Sequence, residues 1–292
     1  MTTFNLRLAG LRLSVFGDSN RVGAEFTART PLRRETGGRP SAAPVAIPPD
    51  LGTEGELARQ VRAIEWYHTL DLGDGLVTPG FYDHRPILEH YGLPRRLDGM
   101  RVLDIAAFDG FWSFEFERRG AAEVVALDIA SAAELDLAPR VRAAMTEAQL
   151  NRSFGGGFQL AHAHYGSNVR HVHCNVYDMK PASLGRFDLV HCGDLLLHLR
   201  DPLLALSRIR EMTQGQALIS DCIFPDLDRH DGAMVQYEGG MNDNIWWRFG
   251  ANTLSRMIRD AGFDKVEEVA RFRYGPRGVG NTLWHVVYRA TL

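Results

Sequence analysis

The sequence has little lysine, little cysteine and no long apolar run. Only two of its 33 basic residues are lysines, Lys180 and Lys265, and 36 acidic residues leave a formal net charge of -3. This balance gives no support to a protein that coats nucleic-acid phosphates. The three cysteines (Cys174, Cys192 and Cys222) lack Cys-x-x-Cys spacing, which argues against a disulfide framework or a zinc ribbon and is typical of a reducing compartment.

No stretch reaches the roughly 18 consecutive apolar residues that a membrane-spanning helix needs. The N-terminal residues interrupt their apolar side chains with arginine and asparagine, so they do not form a signal-peptide core. We therefore expect a cytoplasmic protein without a membrane partner. The composition, 45% apolar and 24% charged over 292 residues, is that of a globular chain with one large domain or two modest ones.

Residues 1–53 are expected to form an N-terminal appendage. Apolar side chains alternate over residues 4–16, which predicts a two-stranded ribbon. Residues 28–52 are rich in Pro, Gly, Ser and Arg, and we interpret them as a linker or arm rather than an RNA-binding patch. A homodimer in which two subunits exchange the ribbon stays an open alternative.

Residues 54–98 are expected to form a helical and aromatic cap segment, and residues 99–292 an α/β domain. Strands are predicted at 100–106, 123–129, 169–176, 187–193 and 216–224, with helices at 110–119, 131–150 and 202–213. This alternation predicts a parallel sheet with helices on both faces. Asp201 and Pro202 are expected to begin the third of these helices, and Asn252 and Gly262 to bracket another. Two final strands, 265–272 and 282–289, are expected to pair as an antiparallel hairpin at the sheet edge.

Three strand ends carry candidate ligand-binding residues, because ligands bind beyond the carboxyl ends of such strands. After the first strand, the small residues Ala106, Ala107 and Gly110 allow close backbone approach, and the free amides of the helix start favour a carboxylate. Asp128 ends the second strand, where an acidic side chain binds both hydroxyls of a ribose; the alternative is a helix cap. Asp178 follows the third strand and is placed to accept a hydrogen bond from an adenine amino group.

The segments VLDIAAFDGFWSFEFERRGAAEVVALDI, NVYD and FDLVHCGDLLLHLRDPLLAL resemble the successive motifs of class I S-adenosylmethionine-dependent methyltransferases. The resemblance covers about residues 60–290. It implies a Rossmann-like sheet of seven strands, six parallel and one antiparallel, and S-adenosylmethionine as cofactor. The expected cofactor-binding residues are Asp104, Ala106, Ala107, Phe108, Asp109, Gly110, Phe111, Asp128, Ile129, Asn175, Val176, Tyr177, Asp178, Cys192 and Gly193.

Four further motifs are similar to the group containing the tRNA wobble-uridine (carboxy)methyltransferases, whose bacterial relatives also act on small metabolites. They are Trp66-Tyr67-His68, the GxxTPG segment at 75–80, LHLRDP at 197–202, and Trp246-Trp247. The chain departs from this group in three ways. Ala106-x-Phe108 replaces the usual GxG, Leu197 replaces a common tyrosine, and no lysines match those that would pair with a carboxylated cosubstrate.

These departures favour plain S-adenosylmethionine and a small-molecule acceptor, in a biosynthetic reaction of specialised metabolism. Methylation of oxygen, nitrogen and carbon all stay open. A tRNA wobble-uridine modification enzyme is the alternative, and a non-catalytic cofactor-binding module is a third reading, motivated by the altered first loop.

Two residues near the fourth strand are catalytic candidates. Methyl transfer from a sulfonium needs alignment of donor and acceptor, and sometimes a base. His198 has a side chain that titrates near neutrality; the alternative is a structural histidine bonded to a backbone carbonyl. Asp194 is a carboxylate in the apolar run GDLLL, where it either orients the acceptor or binds nearby amides.

The long segment 225–250 is expected to act as a lid over the acceptor, because insertions at this edge of the sheet commonly form substrate walls. The expected substrate-binding residues are Trp66, Tyr67, His68, Tyr82, His230, Tyr237, Trp246, Trp247 and Arg248. For about half of the aromatic residues, packing between the cap and the sheet is the alternative. The histidines of residues 162–173 have no carboxylate at ligand spacing, so we expect no metal site.

Overall fold

The computed structural model of the protein describes residues 4–8, 11–15 and 55–292, except for 231, 242–243, 279 and 281. Near the N-terminus, β1 (Phe4–Leu8) and β2 (Leu11–Val15) pair antiparallel, which is the ribbon that the alternating pattern predicts. The arm at 28–52, with its arginines, lies outside the described residues.

A sheet with a seven-strand path forms the centre of the α/β domain. Its strands are β3 (Arg101–Ile105), β4 (Glu123–Asp128), β5 (Arg170–His173), β6 (Phe187–Gly193), β7 (Thr213–Ile223), β10 (Lys265–Tyr274) and β11 (Leu283–Thr291). The order across the sheet is β10-β11-β7-β6-β3-β4-β5. β11 is antiparallel to both of its neighbours, and the other neighbouring strands pair in parallel. The prediction of six parallel strands and one antiparallel strand is confirmed.

Helices cover both faces of this sheet. They are α1 (Glu56–Ala63), α2 (Phe111–Arg118), α3 (Pro139–Ala144), α4 (Glu147–Leu150), α5 (Gly156–Tyr165), α6 (Pro181–Leu184), α7 (Pro202–Met212) and α8 (Ala251–Asp260). Within β3, Leu103 and Ile105 join a buried cluster with α7 and α8, whereas Val102 joins a second cluster with α1, α2 and α5. Both faces of the strand are therefore buried, as is usual for parallel sheets.

Two local predictions about helices are wrong. The helix predicted over 131–150 is broken, because Pro139 lacks an N–H and begins the short α3 instead of continuing a turn. Asn252 does not cap α8; its backbone N–H, like that of Ala251, donates to the Asp228 carboxylate from the preceding segment. The Asp201 cap of α7 is present, since its side chain accepts from the Leu204 backbone N–H over 2.9 Å.

The cap segment folds back on itself before β3. A bridge joins His68 to Tyr82, and the Thr78 hydroxyl accepts from the Leu70 N–H over 2.7 Å and donates to the His68 carbonyl over 2.9 Å. Gly80 makes this turn possible, because a Cβ atom there would lie 2.1 Å from the His68 carbonyl carbon. The turn brings Tyr67, His68 and Tyr82 together above the sheet.

The segment 225–250, predicted as a lid, is attached to the sheet. It contains β8 (Val235–Tyr237) and β9 (Trp247–Phe249), which pair antiparallel. β9 also pairs with the end of β7 through Phe249 and Ile223. Backbone pairing thus holds its second half against the sheet.

Candidate active site

A cavity of about 480 Å³ lies at the carboxyl ends of β3, β4 and β6. This is the switch point of the sheet, because β3 pairs with β4 on one side and with β6 on the other. The cap segment and the turn between β10 and β11 complete its walls. No lysine or arginine is among the described residues that line it.

The loop after β3 presents its backbone to this cavity. Ala106, Phe108 and Gly110 have left-handed φ angles of 59°, 53° and 85°. Such angles favour glycine, so the Ala and Phe side chains add strain where the usual motif has glycines. A hydrogen bond from the Phe108 N–H to the Asp128 carboxylate offsets part of this strain. The altered loop therefore adopts left-handed backbone angles that glycine residues reach without strain.

Asp128 lies on the cavity wall, as predicted for a ribose ligand. Its two carboxylate oxygens accept from the backbone N–H groups of Phe108 and Ile129, each over 2.7 Å. Each oxygen keeps a lone pair for a further donor, such as a ribose hydroxyl. Burial raises the pKa of Asp128 to about 7. The alternative reading, a helix cap, is wrong, because its bonds go to the loop and to its own neighbour.

The third strand end contributes Asn175 and Val176 to the wall, as predicted, but not Tyr177 or Asp178. A short 3₁₀ turn at 176–178 carries the chain away from the cavity, and Asp178 is exposed. The Tyr177 hydroxyl instead donates to the Asp136 carboxylate over 2.8 Å. The structure thus does not place Asp178 for the adenine contact predicted from the sequence, and the predicted cofactor residue Tyr177 also lies off the wall.

Two predicted cofactor ligands act inside the protein instead. Asp104 is buried, and its carboxylate binds the Ser113 hydroxyl over 2.5 Å and His191 Nδ1 over 2.8 Å. Asp109 accepts from the backbone N–H groups of Tyr67 and His68 over 2.6 and 2.9 Å, and burial raises its pKa to about 6. Neither residue lines the cavity, so each holds a neighbouring part of the site in place. Four other predicted cofactor residues are also absent from the wall: Ala107, Gly110, Phe111 and Cys192.

We call the part of the cavity beside the cap segment the acceptor chamber. Its walls include Tyr67, His68, Tyr82, His84, Tyr91, Asp194, Tyr274 and His285. Four buried atoms of this chamber have no hydrogen-bond partner, namely His68 Nδ1, His84 Nδ1, Asp194 Oδ1 and the Tyr274 hydroxyl. Burial lowers the pKa of His68 to about 3 and that of His84 well below its usual value, so both are neutral at pH 7. Polar atoms of this kind are suited to a polar ligand that completes their hydrogen bonds.

Both predicted catalytic candidates lie on the cavity wall. Asp194 has a left-handed φ of 50°, and its carboxylate lies 3.4 Å from His285 Nε2. His198 donates from Nδ1 to the Asn244 carbonyl oxygen over 3.1 Å. This bond matches the structural alternative, yet it also leaves Nε2 as the basic nitrogen of the neutral ring.

Of the predicted substrate-binding residues, Tyr67, His68 and Tyr82 line the cavity. The others do not: Trp66, His230, Tyr237, Trp246, Trp247 and Arg248. The indole N–H groups of these three tryptophans donate to backbone carbonyl oxygens. That of Trp246, for example, donates to the Asp136 carbonyl over 2.7 Å. From the predicted lid, Asn244 and Ile245 are the described residues that reach the wall.

Sequence reasoning missed a chain of buried polar residues at the back of the chamber. His191 lies in β6, Tyr91 in the cap segment and Ser220 in β7, and all three line the cavity. His191 was detectable, since a polar residue inside the buried strand FDLVHCG needs a partner. Tyr91 and Ser220 follow no local motif that predicts their contact.

The strand order and the cavity at the switch point are those of a class I S-adenosylmethionine-dependent methyltransferase. Residues 83–268 match the family described as methyltransferase domain, and the chain belongs to this family. The predicted enzyme class and its cofactor, S-adenosylmethionine, are confirmed at this level. The similarity to the tRNA-modifying group stays a prediction.

Solved structures agree with this fold. The N-terminal domain of EvdMO1, crystallised in the presence of SAH and D-fucose, has a TM-score of 0.56 and 19% identity, over 81% of this chain and 95% of that chain. The same domain with SAH bound has a TM-score of 0.53 at 18% identity, again over 81% of this chain and 95% of that chain. No curated protein sequence matches the chain. In the described part of the chain, every helix is too short or too polar to cross a membrane.

Proposed function

We propose that the protein transfers the methyl group of S-adenosylmethionine to a small molecule bound in the acceptor chamber. The observation that carries this proposal is that the cofactor strand ends and the chamber belong to one cavity of about 480 Å³. This volume is within the range of small-molecule sites, which is roughly 300–1,000 Å³.

The residues of the strand ends fit the adenosyl group. Asp128 would accept the ribose hydroxyls, while Ile129, Asn175 and Val176 would bind around the adenine. Gly193 leaves the end of β6 without a side chain, so a bound cofactor can lie close to the protein backbone there. When bound, S-adenosylmethionine supplies an activated methyl group on sulfur, and the protein has to align the acceptor and exclude water.

The acceptor chamber favours an uncharged polar molecule with a flat or apolar surface. Tyr67, Tyr82 and Tyr274 offer aromatic faces, and neutral His68 and His84 offer hydrogen-bonding nitrogens. D-fucose, present with the similar EvdMO1 domain, is one molecule of this kind. A hydroxylated intermediate of specialised metabolism fits these walls. A tRNA acceptor would call for lysine or arginine side chains near the cavity, and none of the described lining residues is a lysine or an arginine.

Calorimetry with S-adenosylmethionine and S-adenosylhomocysteine tests the cofactor half of the proposal. We expect binding to the wild-type protein and at least tenfold weaker binding to Asp128→Ala. Asp178→Ala is the matched control, since this exposed carboxylate lies off the wall and its loss should leave affinity unchanged. Absent binding, or equal affinity in Asp128→Ala, would contradict the proposal.

A further inference from the structure

We infer that Tyr91, backed by His191 and Asp104, receives the proton of an acceptor hydroxyl, which makes the reaction an O-methylation. This inference rests on the proposed function, because it concerns the acceptor chamber of the same cavity. It assigns the proton transfer to a set of residues distinct from His198 and Asp194.

The three residues form one continuous hydrogen-bonded chain. Asp104 Oδ1 lies 2.8 Å from His191 Nδ1, and His191 Nε2 lies 2.9 Å from the Tyr91 hydroxyl. The Tyr91 hydroxyl also lies 2.5 Å from Ser220 Oγ. All four side chains are almost fully buried; Tyr91, His191 and Ser220 line the cavity, whereas Asp104 lies behind His191.

The chemistry of the partners sets the direction of these bonds. A carboxylate only accepts, so His191 donates from Nδ1 to Asp104, and its Nε2 accepts from the Tyr91 O–H. With its own proton directed to His191, the Tyr91 oxygen accepts from the Ser220 hydroxyl. One lone pair of the Tyr91 oxygen is then left for the O–H of an acceptor.

The position of Tyr91 brings this lone pair to the cofactor end of the chamber. A Cβ atom added to Gly193 would lie 3.2 Å from the Tyr91 hydroxyl and 3.2 Å from Ser220 Oγ. Gly193 is the last residue of β6, adjacent to the end of β3 where the cofactor loop begins. A hydroxyl that bonds to Tyr91 therefore sits where donor and acceptor meet.

The proton transfer balances without an added reactant. The acceptor oxygen bonds to the methyl carbon as the methyl–sulfur bond breaks, and both electrons of that bond stay on sulfur. The acceptor proton passes to the Tyr91 oxygen while the Tyr91 proton passes to His191 Nε2. His191 becomes a cation beside the Asp104 carboxylate, and the proton returns to solvent after product release.

A hydroxyl needs this arrangement more than a neutral amine does. A neutral amine attacks with its lone pair and can lose its proton to water afterwards, whereas a hydroxyl is a weak nucleophile until its proton begins to leave. The Asp104–His191 pair resembles in its bonding the pair that orients the base of hydrolytic triads, where the carboxylate fixes the tautomer and stabilises the cation.

Nitrogen NMR of the protein labelled with ¹⁵N-histidine tests the inference without an acceptor. We expect the Nδ1 atom of His191, which faces Asp104, to carry the ring proton, and we expect Tyr91→Phe to change the Nε2 shift of this residue. The control is Tyr165→Phe, because the Tyr165 hydroxyl binds the Asp71 carbonyl away from the cavity. A His191 ring protonated at both nitrogens, or only at Nε2, could not accept a proton and would overturn the inference.

Other titratable groups near His191 also affect its nitrogen chemical shifts. They are Asp104 from β3, Tyr91, His68 and His84 from the cap segment, and Asp194 after β6. His191→Gln identifies the resonance, because it removes that signal alone.

Methyl transfer to D-fucose and to catechol, followed as S-adenosylhomocysteine release, supplies the second readout. Loss of a general base typically costs about 10²-fold or more, so we expect Tyr91→Phe and His191→Gln to lower kcat to that extent with the cofactor KM unchanged. Equal kcat in both variants and wild type would overturn the inference. Failure of the cofactor to bind the wild-type protein would instead remove the proposed function itself, so the two failures are distinguishable.

Discussion

Phe108 donates its backbone N–H to the Asp128 carboxylate over 2.7 Å. This bond joins the loop after β3 to the end of β4, two parts of the chain that line the cavity where we propose that the cofactor binds. Because the carboxylate that steadies the loop also faces the cavity, its protonation state affects both the loop and the ligand.

Cofactor affinity should therefore depend on pH. The pKa of Asp128 is raised to about 7 by burial, so the carboxyl group is largely protonated at pH 6 and ionised at pH 8. Ribose hydroxyls donate more strongly to the ionised form, so the affinity for S-adenosylhomocysteine should rise with pH. Below pH 7, it should fall by up to about tenfold for each pH unit. Calorimetry from pH 6 to 8 measures this, and a flat profile would contradict it. Asp128→Asn should remove the dependence.

Ala106→Gly should stabilise the protein, because φ at this position is 59°. A left-handed alanine costs about 1 kcal/mol or more, which exceeds the entropy that glycine adds to the unfolded chain, so we expect a net gain of about 0.5 kcal/mol. Ala107→Gly is the matched control, since Ala107 has no such angle and its methyl group is buried; it should lose about 1–2 kcal/mol. Urea unfolding measures both, and shifts of equal sign would contradict the strain argument.

Gly80→Ala should disrupt the cap segment. The added Cβ atom would lie 2.1 Å from the His68 carbonyl carbon and 2.2 Å from the Thr69 nitrogen, and backbone atoms cannot turn aside as side chains do. We expect a loss of about 1–3 kcal/mol. Gly156→Ala, in α5 with open space around it, should instead gain about 0.5–1 kcal/mol. Thermal unfolding of the two variants separates crowding from a general effect of removing glycine.

Asp109→Ala should detach the wall formed by Tyr67 and His68. The substitution leaves two backbone N–H groups without their acceptor, and each such buried group costs about 1–3 kcal/mol. Fluorescence-monitored unfolding measures the loss of stability. Unchanged stability would mean that water replaces the carboxylate and that Asp109 does not hold the cap.

His198→Ala tests the histidine that the sequence predicts as a catalytic base. Its ring binds the Asn244 carbonyl on the cavity wall, apart from the Tyr91 chain. If His198 is a base, its loss should lower turnover of D-fucose or catechol without weakening S-adenosylhomocysteine binding. Unchanged turnover would remove it from the catalytic residues.

The sequence predicted the sheet and part of the cavity wall, because both follow local patterns. Asp128 ends a strand that is visible as an apolar run, Asn175 follows shortly after β5, and parallel strands bring such ends to one edge. The prediction for Asp178 was wrong because a short 3₁₀ turn carries this residue off the cavity wall, and no sequence pattern predicts that turn. The prediction that Trp246 binds the substrate was wrong. The sequence does not distinguish an aromatic residue that faces a ligand from one that packs in the core.

The sequence motifs predicted Tyr67, His68, Tyr82 and Asp194 of the acceptor chamber, but they did not predict the buried polar residues behind it. Tyr91 and Ser220 lie 129 positions apart, and their contact depends on how the cap segment packs on the ends of β6 and β7. Neither residue stands in a periodic pattern that points to the other. Among these buried polar residues, His191 carries a sequence signal, because it is a polar residue within an apolar strand.

The position of β11 affects the order in which the enzyme is completed during synthesis. β11 follows β10 in the chain, yet it lies between β7 and β10 in the sheet. β3, β4 and β6 therefore leave the ribosome well before His285 on β11 is translated, and Tyr274 gains its strand partner only then. The acceptor chamber can thus be completed only after the last strand has entered the middle of the sheet.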